Sequence, residues 1–161
     1  MKRMIVYIAI LASLFVVPVE QMDVSQLIPV KVVSLYKENG YCVVQTDTEN
    51  VGIGDTVQQA LENLKTTASG IIYLDTAQYL LLTDDAKDMV QALRQKLKPS
   101  VKLCQMQMPI DMETVSEFLD SHGDIPRLRQ WEMDAQLPCL SMVEDSYIFL
   151  KKVLDKWFWM W

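Results

Sequence analysis

Apolar and polar positions along this chain follow two periods, and the switches between them mark the elements. Residues 27–37 (LIPVKVVSLYK) carry a β-branched run with polar interruptions, and residues 41–46 (YCVVQT) return as a second run after Glu38, Asn39 and Gly40. Asn-Gly between two such runs is the strongest short hairpin signal, because both central residues of the tight turn need positive φ. Residues 46–55 (TDTENVGIGD) are acidic and glycine-bearing, and read as a flexible lead-in to a helix. In that helix Thr56 and Gln59 stand at capping-box spacing, Val57, Ala60, Leu61 and Leu64 make one apolar face, and Gly70 is placed to end it. Residues 71–74 then read as a buried strand, and residues 79–82 (YLLL) as another short one.

The next helix has the clearest start and stop signals. Thr83 is placed as N-cap, with Asp84 and Asp85 in the first turn and a stripe of Ala86, Met89, Val90, Leu93 and Leu97. Arg94, Lys96 and Lys98 fill the last turns before Pro99, so the charges complement the helix dipole at both ends. Residues 101–106 (VKLCQM) alternate as a half-buried strand does, and Asp111 is placed to cap a third helix with Met112, Val115 and Leu119 inward. Beyond Gly123 the pattern weakens, with edge strands expected at 127–133 and 146–151. The order predicts an α/β (α+β) fold: a single mixed β-sheet covered by about three helices. The crossover from residue 82 to 101 is expected to be parallel and right-handed. No internal repeat or low-complexity stretch interrupts the chain.

The N-terminus follows a different rule. Lys2 and Arg3 precede residues 4–19 (MIVYIAILASLFVVPV), which hold no charge, and Glu20, Gln21 and Asp23 follow. This asymmetry is that of an export signal whose N-terminus stays in the cytoplasm. Sixteen helical residues span roughly 24 Å, short of the roughly 30 Å hydrocarbon core of a bilayer. Residues 1–22 are therefore expected to be a signal peptide or a short uncleaved membrane anchor, with Val17, Pro18 and Val19 a poor cleavage site. Residues 23–150 form the expected α/β domain, and residues 151–161 an aromatic C-terminal tail. The expected location is exported: secreted, or on the outer face of the bacterial cytoplasmic membrane.

Charge narrows the partners. The 161 residues carry a formal net charge of −6 with 22% charged residues, and the pI is about 4.7. Without Lys2, Arg3 and Glu20, the 15 basic and 21 acidic residues become 13 and 20, or −7. Such a domain repels phosphate backbones, so no nucleic-acid partner is expected. Cys42, Cys104 and Cys139 are too few and too scattered for a disulfide scaffold or a zinc knuckle. Cys42 and Cys104 lie in apolar runs and read as small buried hydrophobes.

Four features carry candidate chemistry. Residues 72–77 (IYLDTA) resemble the catalytic loop of retroviral-type aspartic proteases, in which Asp75 would share a proton with a second carboxylate across a dimer. No apolar-apolar-Gly support follows it, so Asp75 reads first as a turn residue; Asp47-Thr48 is a weaker echo in a loop. His122 is the only histidine, and beside Gly123 it reads as a helix C-terminal residue on free carbonyls rather than a catalytic base. Gly52-Ile53-Gly54 lacks the third glycine of a dinucleotide fingerprint and the Lys of a P-loop, and Glu49 and Asp55 flank it. The tail places Trp157, Phe158, Trp159 and Trp161 after Lys151, Lys152 and Lys156. Such rings suit a bilayer interface or a partner surface, and equally suit core packing.

From Val51 onward the chain resembles the N-terminal domain of the spore germination C-subunit family, the exported subunits of bacterial germinant receptors. Gly52-Ile53-Gly54-Asp55-Thr56 matches that family's G-x-G-x-T opening of a helix, followed here by Val57, Ala60, Leu61 and Leu64. Ile71-Ile72-Tyr73-Leu74, a polar break, Tyr79 to Leu82 and Thr83-Asp84-Asp85-Ala86 match its next strand pair and acidic helix start, over about 70 residues in all. The chain departs from the family in two ways. The first cysteine is Cys42, so lipid attachment after the apolar segment is not supported, and the chain is too short for the family's two further domains. The resemblance implies a receptor-associated accessory role, related to sporulation or germination, and supplies no catalytic residue. The expected function is thus a non-enzymatic interaction domain at the membrane surface, reached through its N-terminal segment. Its expected partner is an envelope or membrane protein, without cofactor or metal. The alternative is an envelope hydrolase of aspartic type using Asp75.

Overall fold

The computed structural model describes residues 24–107, 110–122, 124–133, 135–143, 146–153 and 156–159. Strands β2 (Val32–Glu38) and β3 (Tyr41–Thr46) form the expected hairpin. Asn39 and Gly40 take φ of 51° and 86° at its turn, the left-handed pair that Asn-Gly tolerates best. The strand β4 (Val51–Gly54) adds antiparallel to β3. On the other side of β2, the strands β6 (Tyr79–Leu82), β7 (Lys102–Met106) and β8 (Cys139–Val143) follow, each parallel to its neighbour. Antiparallel β9 (Ser146–Val153) and β10 (Lys156–Trp159) complete the order β10-β9-β8-β7-β6-β2-β3-β4 among the described residues. A separate parallel ribbon pairs β1 (Leu27–Pro29) with β5 (Ile71–Tyr73).

Helices lie on both faces. α1 (Val57–Thr67) and a 3-10 turn (Asp84–Met89) continuing into α2 (Val90–Arg94) cover one face, over a core of Val33, Leu35, Val44, Leu80 and Leu103. α3 (Met112–Asp120) covers the other, packing Met112, Val115 and Leu119 on Val32, Tyr36, Tyr79, Leu81 and Cys104. Every helix-face residue expected to point inward does so, although Met89 is only partly buried. At about 1.5–3 kcal/mol for each fully buried aliphatic side chain, these two cores supply the main drive for folding. The fold is α/β, as its alternating pattern predicts.

Five local readings are corrected. Residues 51–54 are not a flexible lead-in but the strand β4. Residues 27–37 are two strands, because the Val30 N–H is taken by the Thr76 hydroxyl (2.9 Å) and the Lys31 N–H by the Asp47 carboxylate (3.2 and 3.1 Å). Residue 71 and residue 73 are exposed rather than buried, since the β1–β5 ribbon has only one covered face. The helix begun at Thr83 starts as a 3-10 turn, with the Thr83 hydroxyl bonded to the Asp85 carboxylate rather than to a backbone N–H. Residues 128–130 form a 3-10 turn, with Arg127 making only an isolated bridge to Lys102, so the strand expected at 127–133 is absent.

Candidate interaction surface

The β4 edge owes its geometry to two glycines. A Cβ at Gly52 would lie 2.0 Å from the Ala60 carbonyl oxygen and 2.7 Å from Leu64 Cβ; one at Gly54 would lie 2.6 Å from Gln59 Cβ. With no side chain at either position, α1 settles directly on the strand. The alternation of a strand then sends Val51 and Ile53 to the opposite face. There Ile53 stands across from Val43, and Val51 across from Gln45. α3 packs farther along the sheet and leaves this end open. Tyr41 and Ile53 are 50% exposed and Val51 37%.

An exposed apolar edge strand is an aggregation hazard unless its backbone is occupied. Here α1 covers part of it. The Asn63 side-chain amide donates to the Ile53 carbonyl, and the Thr67 hydroxyl lies 3.4 Å from the Val51 carbonyl. The helix start is held by Thr56, whose hydroxyl accepts from the Gln59 N–H (3.3 Å), while Gln59 Oε1 accepts from the Asp55 N–H (2.9 Å). The expected capping pair therefore forms, but Gln59 reaches one residue beyond the cap. An open groove of about 370 Å³ runs over this edge, with Tyr41 and Ile53 as its apolar part and Asp55 and Glu62 as its charged part. Its chemistry suits a cationic side chain carried on an aliphatic stem.

Two polar clusters lie elsewhere. At the carboxyl ends of the parallel strands, where open α/β sheets commonly bind ligands, Asp84 Oδ1 accepts from Gln105 Nε2 (3.2 Å) and pairs with Lys87 (2.6 Å). Beside it, Lys37 meets Asp88 at 3.2 Å. Under α3, the buried Tyr79 hydroxyl lies 3.2 Å from the Leu119 carbonyl and 3.0 Å from Asp120 Oδ1, and Lys31 pairs with the same Asp120. Burial, then the hydrogen bond and charge of Asp120, push the Tyr79 phenol up to about 12. Lys31 and Tyr79 in turn hold the Asp120 carboxyl below its ordinary value.

The residues singled out by sequence are dispersed. Asp75 sits in an exposed 3-10 turn (Leu74–Thr76), and the neighbouring Thr76 hydroxyl ties the turn to the Val30 backbone. Asp47 lies in the β3–β4 turn, where burial raises its pKa against the hydrogen bonds it accepts from backbone N–H groups. His122 Nδ1 lies 2.9 Å from the Phe118 carbonyl one turn earlier, and its ring meets Phe118 at 4.2 Å between centroids. Trp157, Phe158 and Trp159 fall on β10, paired with Lys152, Lys151 and Leu150; Trp161 lies outside the described residues, as do residues 1–23. All three cysteines are free and buried, and burial pushes the Cys104 and Cys139 thiols up to about 12 and about 11. Sequence reading missed Tyr41, Val51 and Ile53. The signal was present, since apolar residues alternate with glycine across 51–54, but glycine weighs against a strand.

Among the described residues, no group of three or more His, Cys, Asp or Glu side chains is arranged to hold a metal ion. No helix among them is long and apolar enough to cross a membrane. No protein-family profile matches the chain, and no curated protein or solved structure matches it.

Proposed function

We propose that this chain is an exported, non-enzymatic interaction domain held at the outer face of a bacterial membrane, which engages an envelope protein through the open end of its sheet. The observation that carries this reading is the Tyr41–Val51–Ile53 surface. It is apolar and exposed, and the Asn63 amide of α1 already takes the Ile53 carbonyl of its edge strand, so exposed side chains are the main thing it offers a partner. Asp55 and Glu62 beside it favour a partner segment bearing lysine or arginine. The resemblance to the germinant-receptor C-subunit domain supports an accessory role of this kind, and the charge asymmetry around residues 4–19 supports export.

The test places a photocrosslinking amino acid at Ile53 in a chain expressed with a C-terminal tag in a sporulating Gram-positive host. Protease treatment of protoplasts is expected to destroy the tag, and illumination to give one discrete envelope adduct that Tyr41→Ser abolishes. A protected, cytosolic tag overturns the location. A destroyed tag with no adduct at Ile53 overturns the surface.

A further inference from the structure

The β1–β5 ribbon presents a second apolar surface. Parallel pairing sets Leu27 beside Ile71 and Pro29 beside Tyr73, so these four side chains share the outward face, while Ile28 and Ile72 pack inward on the core. Ile71 is 43% and Tyr73 37% exposed, and Pro29 is exposed as well. This face lies where the chain enters the fold. A Cβ on Gly70 would approach the Gln26 carbonyl oxygen at 2.5 Å, so residue 71 begins beside the first described residues. The charge-free run 4–19 ends eight residues before Leu27. Eight residues reach at most roughly 28 Å at about 3.5 Å each, so the ribbon lies within that reach of the end of the run.

Resting on the membrane-proximal reading above, we infer that the outward face of the β1–β5 ribbon lies against the lipid surface, with Ile71 and Tyr73 at the level of the headgroups. Isoleucine supplies apolar area and tyrosine a ring with a polar edge, the pairing that favours the boundary between acyl chains and water. The acidic domain gains nothing from anionic lipid, so contact here is apolar and local rather than electrostatic. The Tyr41–Ile53 surface, on the opposite face of the main sheet, is then left free for a protein partner.

The experiment uses the full chain reconstituted into phosphatidylethanolamine–phosphatidylglycerol vesicles, with an environment-sensitive dye on Ile71→Cys or, in a separate protein, Ile53→Cys. The three native thiols are buried, and the unsubstituted chain sets the labelling background. Shallowly brominated lipid is expected to quench the dye at 71 to about half or less, with a blue-shifted emission, and to leave the dye at 53 unchanged. Tyr73→Cys gives the same expectation at an independent position. Vesicle-bound protein with no quenching at 71 and 73, or with equal quenching at 53, overturns the ribbon contact and leaves membrane attachment standing. Protein that fails to float with the vesicles overturns membrane attachment itself, and the ribbon contact with it.

Discussion

The face of the sheet beneath α1 and α2 and the face beneath α3 are built from different materials. The first is aliphatic apart from Trp131 and Cys42: Val33, Leu35, Val44, Leu64, Leu80, Leu93 and Leu103 interlock, and two glycines let α1 settle onto the edge strand. The second mixes aliphatics with Tyr36, Tyr79 and Phe149, and ties its tyrosines by hydrogen bonds. Tyr36 donates to Gln45 Oε1 (3.4 Å), Tyr79 reaches Leu119 and Asp120, and Tyr147 donates to the Asp111 carbonyl (3.0 Å). It also ends early, leaving Tyr41, Val51 and Ile53 uncovered. Close packing stores stability in shape, and a small change in volume is costly there. A face that ends in polar-tipped rings and open apolar residues keeps less of its energy in shape and more surface for contact.

The widest contrast is expected at Gly52. Gly52→Val drives a side chain into the Ala60 carbonyl and Leu64, and should cost about 3 kcal/mol or more in urea unfolding. Gly40→Ala, where the space is open but φ is 86°, should cost only about 1 kcal/mol. Leu64→Ala, on the aliphatic face, should cost about 3 kcal/mol through the cavity it leaves. A cost below about 1 kcal/mol would mean that this face is loosely packed and the contrast is mistaken.

Tyr79→Phe probes the other face, and about 1–1.5 kcal/mol is expected for the lost hydrogen bond. The same variant changes the pH dependence. The folded phenol ionises near 12 against about 10 in the unfolded chain, so its contribution is complete below pH about 10 and fades as pH rises towards 12. Alkaline destabilisation should therefore be shallower in Tyr79→Phe than in the parent chain. Asp120, held below its ordinary value, acts in the opposite sense: its contribution is present above the unfolded carboxylate pKa and is lost in acid.

Tyr41→Ser and Ile53→Ser should each cost only about 1 kcal/mol of stability, because both side chains are already half exposed. Tyr41→Ser should nevertheless abolish the crosslink from position 53. Equal losses of stability and crosslinking would make this end of the sheet core rather than contact surface. The smallest effect is assigned to Asp75→Asn, which should leave both stability and crosslinking unchanged. A peptidase activity in the parent chain that this variant removes would instead favour the aspartic-type hydrolase.

Much of the fold was legible because it obeys local rules. The Asn39-Gly40 hairpin, the Thr56–Gln59 cap and the inward faces of α1 and α3 follow from backbone sterics, capping and periodicity, all of which act within a few residues. The misreadings came where distant groups decide. Val30 and Lys31 break a strand because Thr76 and Asp47, 46 and 16 residues away, take their N–H groups. Residues 51–54 pair as a strand despite two glycines, because those glycines are what α1 requires at that depth.

The sequence by itself determined the α/β class, the inward side of each helix and the acidic character of the chain, since each depends on composition or on the order of neighbouring residues. Only the tertiary structure decided which apolar residues stay uncovered. Ile71 and Tyr73 stood in a run read as buried, and Val51 and Ile53 in a stretch read as a flexible lead-in. Burial is a property of what packs against a residue from elsewhere in the chain, and α3 stops short of one pair while the β1–β5 ribbon has only one covered face for the other. Both candidate surfaces of this protein were therefore defined only once the tertiary packing was in place.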